Sequence, residues 1–412
     1  MRSEPDVFIF NPTCEYAVGS GNAWWQPNRL LQKMETDLAA LPMFFAQPAD
    51  IVLTDTTNTP EFISSFSRFE YRLPQFFNTR DFINETKLKP IALNRLMPWG
   101  WSPAAHRLLL PLKNFCSDEF KASPVLKWHH ESKELYSRRF AIEILKQLLS
   151  NRHCEFFIPE HFIPEICTVE SEIEKLIIKW GRVMVKAPWS CSGRGLQPVT
   201  KTPVHPKVWE KIRGIINNQG FVTVEPYLDK AADLAFQFEI KKGKISFIGV
   251  SNFFTDYRGQ YQGNFIHGIP PNKYDNETII FLKLLSEILV EPITETLENS
   301  RMPFFYEGNF GVDTLIFRDE EHRLKVNPCL EINLRQNMGL LALRLGKLVS
   351  PNKPAVYRIF YRQGKSFLEF KNEMTKKHPP KFVSGKLDSG FFALTQVQEN
   401  TQFGAYLLII DR

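Results

Sequence analysis

The sequence predicts an α/β (α+β) protein of several units: a small parallel sheet first, then two mixed α+β units. Three observations carry this. Strand-length and helix-period runs alternate from Val7 to Leu53. The alternation returns between Arg138 and Leu228. Two strand-length runs, 311–317 and 324–335, then flank a short charged turn. The 412 residues allow two to three domains at about 150 residues each.

At the start, Val7-Phe8-Ile9-Phe10 is a short apolar strand that stops at Asn11-Pro12. A small-residue loop, 17–21, precedes Leu30, Leu31, Met34, Leu38 and Leu41 at helical spacing, and Ile51-Val52-Leu53 is the second strand. Strand, helix and strand in this order predict a parallel sheet. Up to about residue 125 the chain is rich in Phe and Pro, and Trp99-Gly100-Trp101 reads as buried loop aromatics or as a ligand wall. A helix is expected over 138–149, and a second from an N-cap at Thr168 to Trp180. Strands at 182–186 and 221–225 flank a third helix over 208–216. One long helix covers 279–297, and a last hairpin joins 391–395 to 405–410.

Composition narrows the function. Hydrophobic residues are 43% and charged residues 23%, the usage of globular proteins, which excludes a disordered chain or a coiled coil. The net charge of +6 is spread without a basic block, so a nucleic-acid partner is not expected. The six cysteines stand apart, with no CxxC pair and no zinc spacing. No signal peptide is expected at the start and no apolar run has membrane-span length, so the expected location is the cytoplasm.

Three segments carry chemistry. In 185–196, a strand delivers Lys186 into a loop holding Ser190, Ser192, Gly193 and Gly195, and a second apolar run follows. Small residues let backbone N–H groups approach an anion, and the lysine supplies a point charge for phosphate. No Gly-Lys-[Ser/Thr] precedes a helix, so this is not a Walker loop; an ordinary glycine hairpin turn is the competing reading. Next, Glu225-Pro226-Tyr227-Leu228 ends a strand in an acid and leads into an irregular linker, with Asp233 beyond it. Such a strand end can offer backbone groups to an adenine edge, and the acid can meet ribose hydroxyls; a solvated strand end competes. Finally, Glu331, Asn333 and Arg335 alternate with Leu330, Ile332 and Leu334, so a carboxylate, an amide and a guanidinium share one strand face. Asp313 on the partner strand completes a set of hard oxygen donors suited to Mg²⁺. A solvated face with a surface ion pair competes. Pro328 in the return strand implies an edge or a bulge.

Taken in order, these segments resemble the ATP-grasp superfamily over about residues 130–345. The matching parts are Lys186, the flap from Ser190 to Gly195, the hinge Glu225 to Leu228, and Asp313, Glu331 and Asn333 followed by Arg335. The family often carries a further lysine on the helix that opens the central domain. This chain has Ser137-Arg138-Arg139 there, and an arginine can contact phosphate too: Arg138 is the candidate, with Arg139 as the alternative. The resemblance implies a Rossmann-like domain over 1–125, a central subdomain with the flap over 126–230, and a C-terminal subdomain with the metal hairpin over 231–350. Residues 351–412 remain as an extension of unassigned role. It further implies ATP with Mg²⁺ (or Mn²⁺), and ligation of a small-molecule or peptide carboxylate to an amine or thiol through an acyl phosphate, with a homodimer as an admissible assembly. Lys186, Ser190, Ser192, Gly193, Gly195, Glu225, Leu228 and Asp233 would then hold nucleotide, and Arg335 would act on developing charge. Arg258, in the polar segment 255–264, is a candidate for pairing with a substrate carboxylate, and loop 11–21 is a second candidate wall. Rival readings are a small-molecule kinase or carboxylase, and a silent nucleotide-binding module.

Overall fold

The computed structural model describes residues 4–56, 58–191, 193–256, 259–270 and 273–409. Ser192 and Arg258 lie outside the described residues. The described residues form three sheets.

The first sheet holds β1 (Val7–Ile9), β2 (Ile51–Thr54), β3 (Gln75–Asn78) and β4 (Leu96–Pro98), in the order β3-β2-β1-β4. All pairs are parallel. Its central strands are near-continuous apolar runs, because both faces of a parallel sheet are covered. The segment expected to be a loop after β1 is instead a helix, Cys14–Ser20. Gly21 stops it with φ 67°, and its N–H returns to the carbonyls of Ala17 and Val18.

The second sheet is antiparallel: β5 (Glu165–Cys167), β6 (Val183–Lys186), β7 (Leu196–Val199) and β8 (Val222–Pro226), in the order β5-β8-β6-β7. Helices Glu170–Trp180 and Pro206–Gln219 supply Ile173, Leu176, Ile177 and Ile212 to a core that this sheet keeps to itself. The first helix is capped at Val169, not Thr168. The Glu172 carboxylate accepts from the Thr168 and Val169 N–H groups, so Thr168 lies one residue outside.

The third sheet has nine strands, in the order β13-β12-β9-β10-β11-β14-β17-β16-β15. They are β9 (Asp229–Lys241), β10 (Lys244–Thr255), β11 (Tyr261–Ile266), β12 (Gly308–Arg318), β13 (Leu324–Asn333), β14 (Ala355–Phe360), β15 (Lys381–Val383), β16 (Lys386–Ala393) and β17 (Gly404–Ile409). The expected linker after Leu228 is thus a thirteen-residue strand. Its Leu234, Phe236, Phe238 and Ile240 recur at period two and join the main core, while Ala235 and Gln237 between them are buried on the other face. In the 255–264 segment, Thr255 ends β10 and Tyr261 opens β11, while residues 257 and 258 lie outside the described residues. Strands β14, β16 and β17 continue the sheet through β11, so the tail is built into it.

The long helix expected over 279–297 is two helices, Asn276–Ile288 and Val290–Glu298. Pro292 has no N–H for the Ile288 carbonyl, and its ring crowds that carbonyl. Helix Arg138–Asn151 packs Phe140, Ile144 and Leu148 into a core shared with β9, β12, β13 and the first sheet.

Candidate functional site

The acidic hairpin comes first, because register fixes it. Asp313 on β12 lies directly opposite Glu331 on β13, and the register slips between Asp313 and Leu315. β13 is an edge strand, where Pro328 removes no needed ladder bond. The strand ends at Asn333, so Arg335 lies outside it rather than on its face. The chain turns there, with the Arg335 N–H donating to the Asn333 carbonyl at 2.9 Å. The guanidinium nonetheless stays beside Asn333: its Nη2 donates to Oδ1 at 3.0 Å. Burial raises the Asp313 carboxyl above the usual range, and facing Glu331 raises it further.

Cations close around this hairpin. Arg138 opens helix Arg138–Asn151 and is 7% exposed. Its Nη2 meets Glu331 Oε1 at 2.8 Å, and its Nε donates to the Ala187 carbonyl at 3.1 Å. Arg139 turns elsewhere, its guanidinium 4.3 Å from the centre of the Phe221 ring. Lys186, 5% exposed at the end of β6, pairs with Glu225 Oε1 at 2.5 Å. Burial lowers the Lys186 ammonium, which Glu225 opposes and Arg138 reinforces. Lys186, Glu225, Arg138 and Glu331 are therefore one electrostatic group.

The flap lies against this group. Ser190 is buried, and its Oγ has no hydrogen-bond partner among the described residues. A side chain at Gly195 would run into Ser190. Gly193 has φ 73°, and a Cβ there would stand 2.6 Å from the Gly259 carbonyl oxygen. Glycine is therefore required where the chain at 193 meets Gly259. Trp189 closes the near end, its Cβ 2.9 Å from where a Cβ on Gly19 would lie.

Two expected nucleotide contacts sit differently. Leu228 packs against the main core. Asp233 lies within β9, where Lys230 Nζ holds it at 2.8 Å and Thr255 Oγ1 at 3.2 Å. Its charge adds slightly to the rise at the Asp313 carboxyl.

One residue was missed from the sequence. Glu15, on helix Cys14–Ser20, is 5% exposed, and its Oε1 meets Arg335 Nε at 2.9 Å. Burial opposes the Arg335 charge most strongly, but Glu15, Cys14 and Cys191 together outweigh it and hold the guanidinium above its ordinary range. The available signal was a lone acid in the apolar run Cys14-Glu15-Tyr16-Ala17-Val18.

Among the described residues no three His, Cys, Asp or Glu side chains gather as a metal cluster. The hairpin instead offers two carboxylates and an amide oxygen. This is a hard oxygen set that fits Mg²⁺ or Mn²⁺ sharing its ligands with phosphate. Two facing carboxylates in a buried setting also call for a cation.

A flap sheet and an acidic hairpin sheet meeting over a lysine, an arginine and two carboxylates are the architecture of the ATP-grasp fold. The chain is similar over its full length to N5-carboxyaminoimidazole synthetase from Staphylococcus aureus, solved with ADP: 14% identity, 95% of that chain covered, TM-score 0.50. It is similar over 98% of its length to biotin carboxylase from Campylobacter jejuni, solved as a β,γ-ATP complex: 14% identity, 87% of that chain covered, TM-score 0.51. No protein-family model and no curated protein matches the sequence. The fold implied by the motifs is thus present over the whole chain. Among the described residues, no helix is long and apolar enough to cross a membrane.

Proposed function

We propose that this protein is an ATP-dependent ligase. It transfers the γ-phosphoryl group to a carboxylate and joins the resulting acyl phosphate to an amine, releasing ADP and phosphate. The single observation that supports this best is the convergence on one hairpin of Arg138 against Glu331 and of Arg335 against Asn333, beside Asp313. A binding module has no need for a buried guanidinium held beside metal-type ligands. The two similar structures, solved with ADP and as a β,γ-ATP complex, support nucleotide binding.

Each residue takes a role from its surroundings. Lys186 and the flap amides contact phosphate, with Ser190 Oγ free to join them. Backbone groups from Glu225 to Leu228 face the base. Arg138 balances Glu331 until phosphate replaces part of that pairing. Asp313, Glu331 and Asn333 hold the divalent cation, which offsets charge on the phosphates when bound. Arg335 faces the charge that builds on the acyl phosphate and on the tetrahedral species. The site draws on a central unit (126–230) and a C-terminal unit (231–350), with Glu15 and Arg335 tying the 1–125 unit to it.

A thermal-shift titration with Mg·ATP tests nucleotide binding, since a ligand that binds only the folded state raises its stability. The expected result is a saturable shift that needs the cation. No shift at millimolar Mg·ATP contradicts the reading. ADP release with an amide product then separates a ligase from a kinase.

A further inference from the structure

The carboxyl ends of β1 and β4 meet the segment that carries Arg335. The order of the first sheet reverses between these strands, since β2 and β3 lie on one side of β1 and β4 on the other. In open parallel sheets that reversal leaves a crevice, which ordinarily takes a ligand. Here it takes part of the same chain. The Gln336 N–H donates to the Trp99 carbonyl at 2.7 Å. Asn11, just past β1, is tied to Gly100, just past β4. Its Nδ2 donates to the Gly100 carbonyl at 2.7 Å, and its Oδ1 accepts from the Gly100 N–H at 3.3 Å. A Cβ on Gly100 would stand 3.1 Å from the Arg335 Cβ and would run into Cys14 Sγ. Glycine there lets helix Cys14–Ser20 and Arg335 both come close.

Three acceptors hold the guanidinium over this seat. Nε donates to Glu15 Oε1 at 2.9 Å, Nη2 to Asn333 Oδ1 at 3.0 Å and Nη1 to the Gln336 carbonyl at 3.3 Å. A guanidinium has five N–H donors, so one is left on each terminal nitrogen. Two terminal N–H groups are what a pair of phosphate or carboxylate oxygens accepts in a bidentate contact. Glu15 grips Arg335 in a way that spares them. Both its oxygens could have engaged the guanidinium, yet Oε2 is buried and has no hydrogen-bond partner among the described residues. A buried carboxylate oxygen left unsatisfied costs free energy, so the contact is a poor one if stability is its only purpose. After burial, Glu15 is also the strongest influence on the Arg335 charge.

We propose that Glu15 is a positioning residue for the reaction: it fixes Arg335 through Nε alone, so that the two remaining terminal N–H groups are aimed at the phosphoryl group in transfer. This rests on the ligase reading, in which Arg335 faces developing charge. The 1–125 unit then serves the reaction through a residue that touches no substrate. Its first helix sets the direction of a guanidinium 320 residues away. Misplacing such a group by about 1 Å can cost on the order of a hundredfold in rate. That loss falls on the transition state and not on nucleotide binding.

The test uses the full chain and two probes, Mg·ADP alone and Mg·ADP with aluminium fluoride, which stands in for the phosphoryl group in transfer. Affinity is read by titrating thermal stabilisation. Wild type should bind Mg·ADP more tightly with the fluoride than without it. Arg335→Met should lose most of that gain and keep its affinity for Mg·ADP alone. Glu15→Gln keeps the shape and an acceptor oxygen but removes the charge. It should lose about tenfold or more of the gain, again with Mg·ADP alone unchanged. With both changes together the loss should equal that of Arg335→Met alone, because Glu15 acts only through Arg335. A merely structural Glu15 would lower both affinities or neither. Glu15→Asp keeps the charge one methylene short; it should lose several-fold, and it carries the test if Glu15→Gln fails to fold. The full gain in Glu15→Gln and Glu15→Asp overturns the proposal, as do losses that add to that of Arg335→Met. A wild type with no gain, or a full gain in Arg335→Met, refutes the ligase reading of Arg335 and the proposal with it, and is seen without any Glu15 variant.

Discussion

The second and third sheets are both antiparallel and both present charge to the same crevice, yet they are held very differently. The third sheet, the helix Arg138–Asn151 and the first sheet share one continuous core. The second sheet keeps a core of its own around Ile173, Val183, Val185 and Val224. Its ties to the rest are few: Arg138 to the Ala187 carbonyl, Gly193 against Gly259, and the rings of Trp189 and Phe221, which reach into the main core. A unit with a private core and few seams moves as a body. A unit fused into the main core does not. The acidic hairpin is therefore a fixed platform and the flap sheet a cover, so changes on the platform should act on chemistry and changes on the cover on closure.

The largest expected effect is on the platform. Arg335→Met deletes a charge aimed at the reacting group and should lower turnover by about a hundred- to a thousand-fold, with Mg·ATP binding little altered. An ADP-release assay on the true substrate, or slow background hydrolysis, reads it. A wild-type rate would return Arg335 to a structural pairing with Glu15.

Glu331→Gln should act on binding as well. It weakens the cation site and leaves buried Arg138 with less compensation, so the Mg²⁺ concentration needed for ATP binding should rise while turnover falls. If only turnover changed, Glu331 would not be a metal ligand.

Gly193→Val probes the cover. The positive φ and the 2.6 Å approach to the Gly259 oxygen leave no room for a side chain. The flap should fail to seat, weakening ATP binding by roughly ten-fold, a cost of about 1.4 kcal/mol. The melting temperature should move little, because Gly193 itself makes no part of the main core. A large fall in melting temperature would contradict the separation between cover and platform.

The smallest effect concerns pH. Glu35 takes the Thr13 hydroxyl at 2.5 Å, and burial pushes its carboxyl up to about 7, with Thr13 opposing. A folded value above the unfolded one favours the protonated native form. Its stabilising contribution is full below about 4.5 and is lost as pH rises through 7. Glu35→Gln should therefore melt higher than wild type at pH 8, with the gap closing toward pH 5. Parallel melting curves across that range would show that Glu35 is not buried as described.

Much of the platform was readable in the sequence because its chemistry follows a local rule. Glu331 and Asn333 are two residues apart on one strand, and an edge position for Pro328 followed from its missing N–H. Lys186 at a strand end before a Gly/Ser loop is equally local. What escaped was set by distant packing. Glu15 meets Arg335 across 320 residues, which no spacing rule reports. Arg138 and Arg139 look alike in sequence; the Ser137 cap, accepting from the Arg139 N–H, and the Phe221 ring separate them. Strand β9 was read as a linker although Leu234, Phe236, Phe238 and Ile240 alternate along it.

The most direct test is hydrogen exchange with and without Mg·ATP, read separately over the flap at 188–196 and the platform strands β9, β12 and β13. The account predicts strong protection of the flap on adding Mg·ATP, with the platform core already protected and nearly unchanged. Flap exchange that is identical with and without Mg·ATP would contradict it.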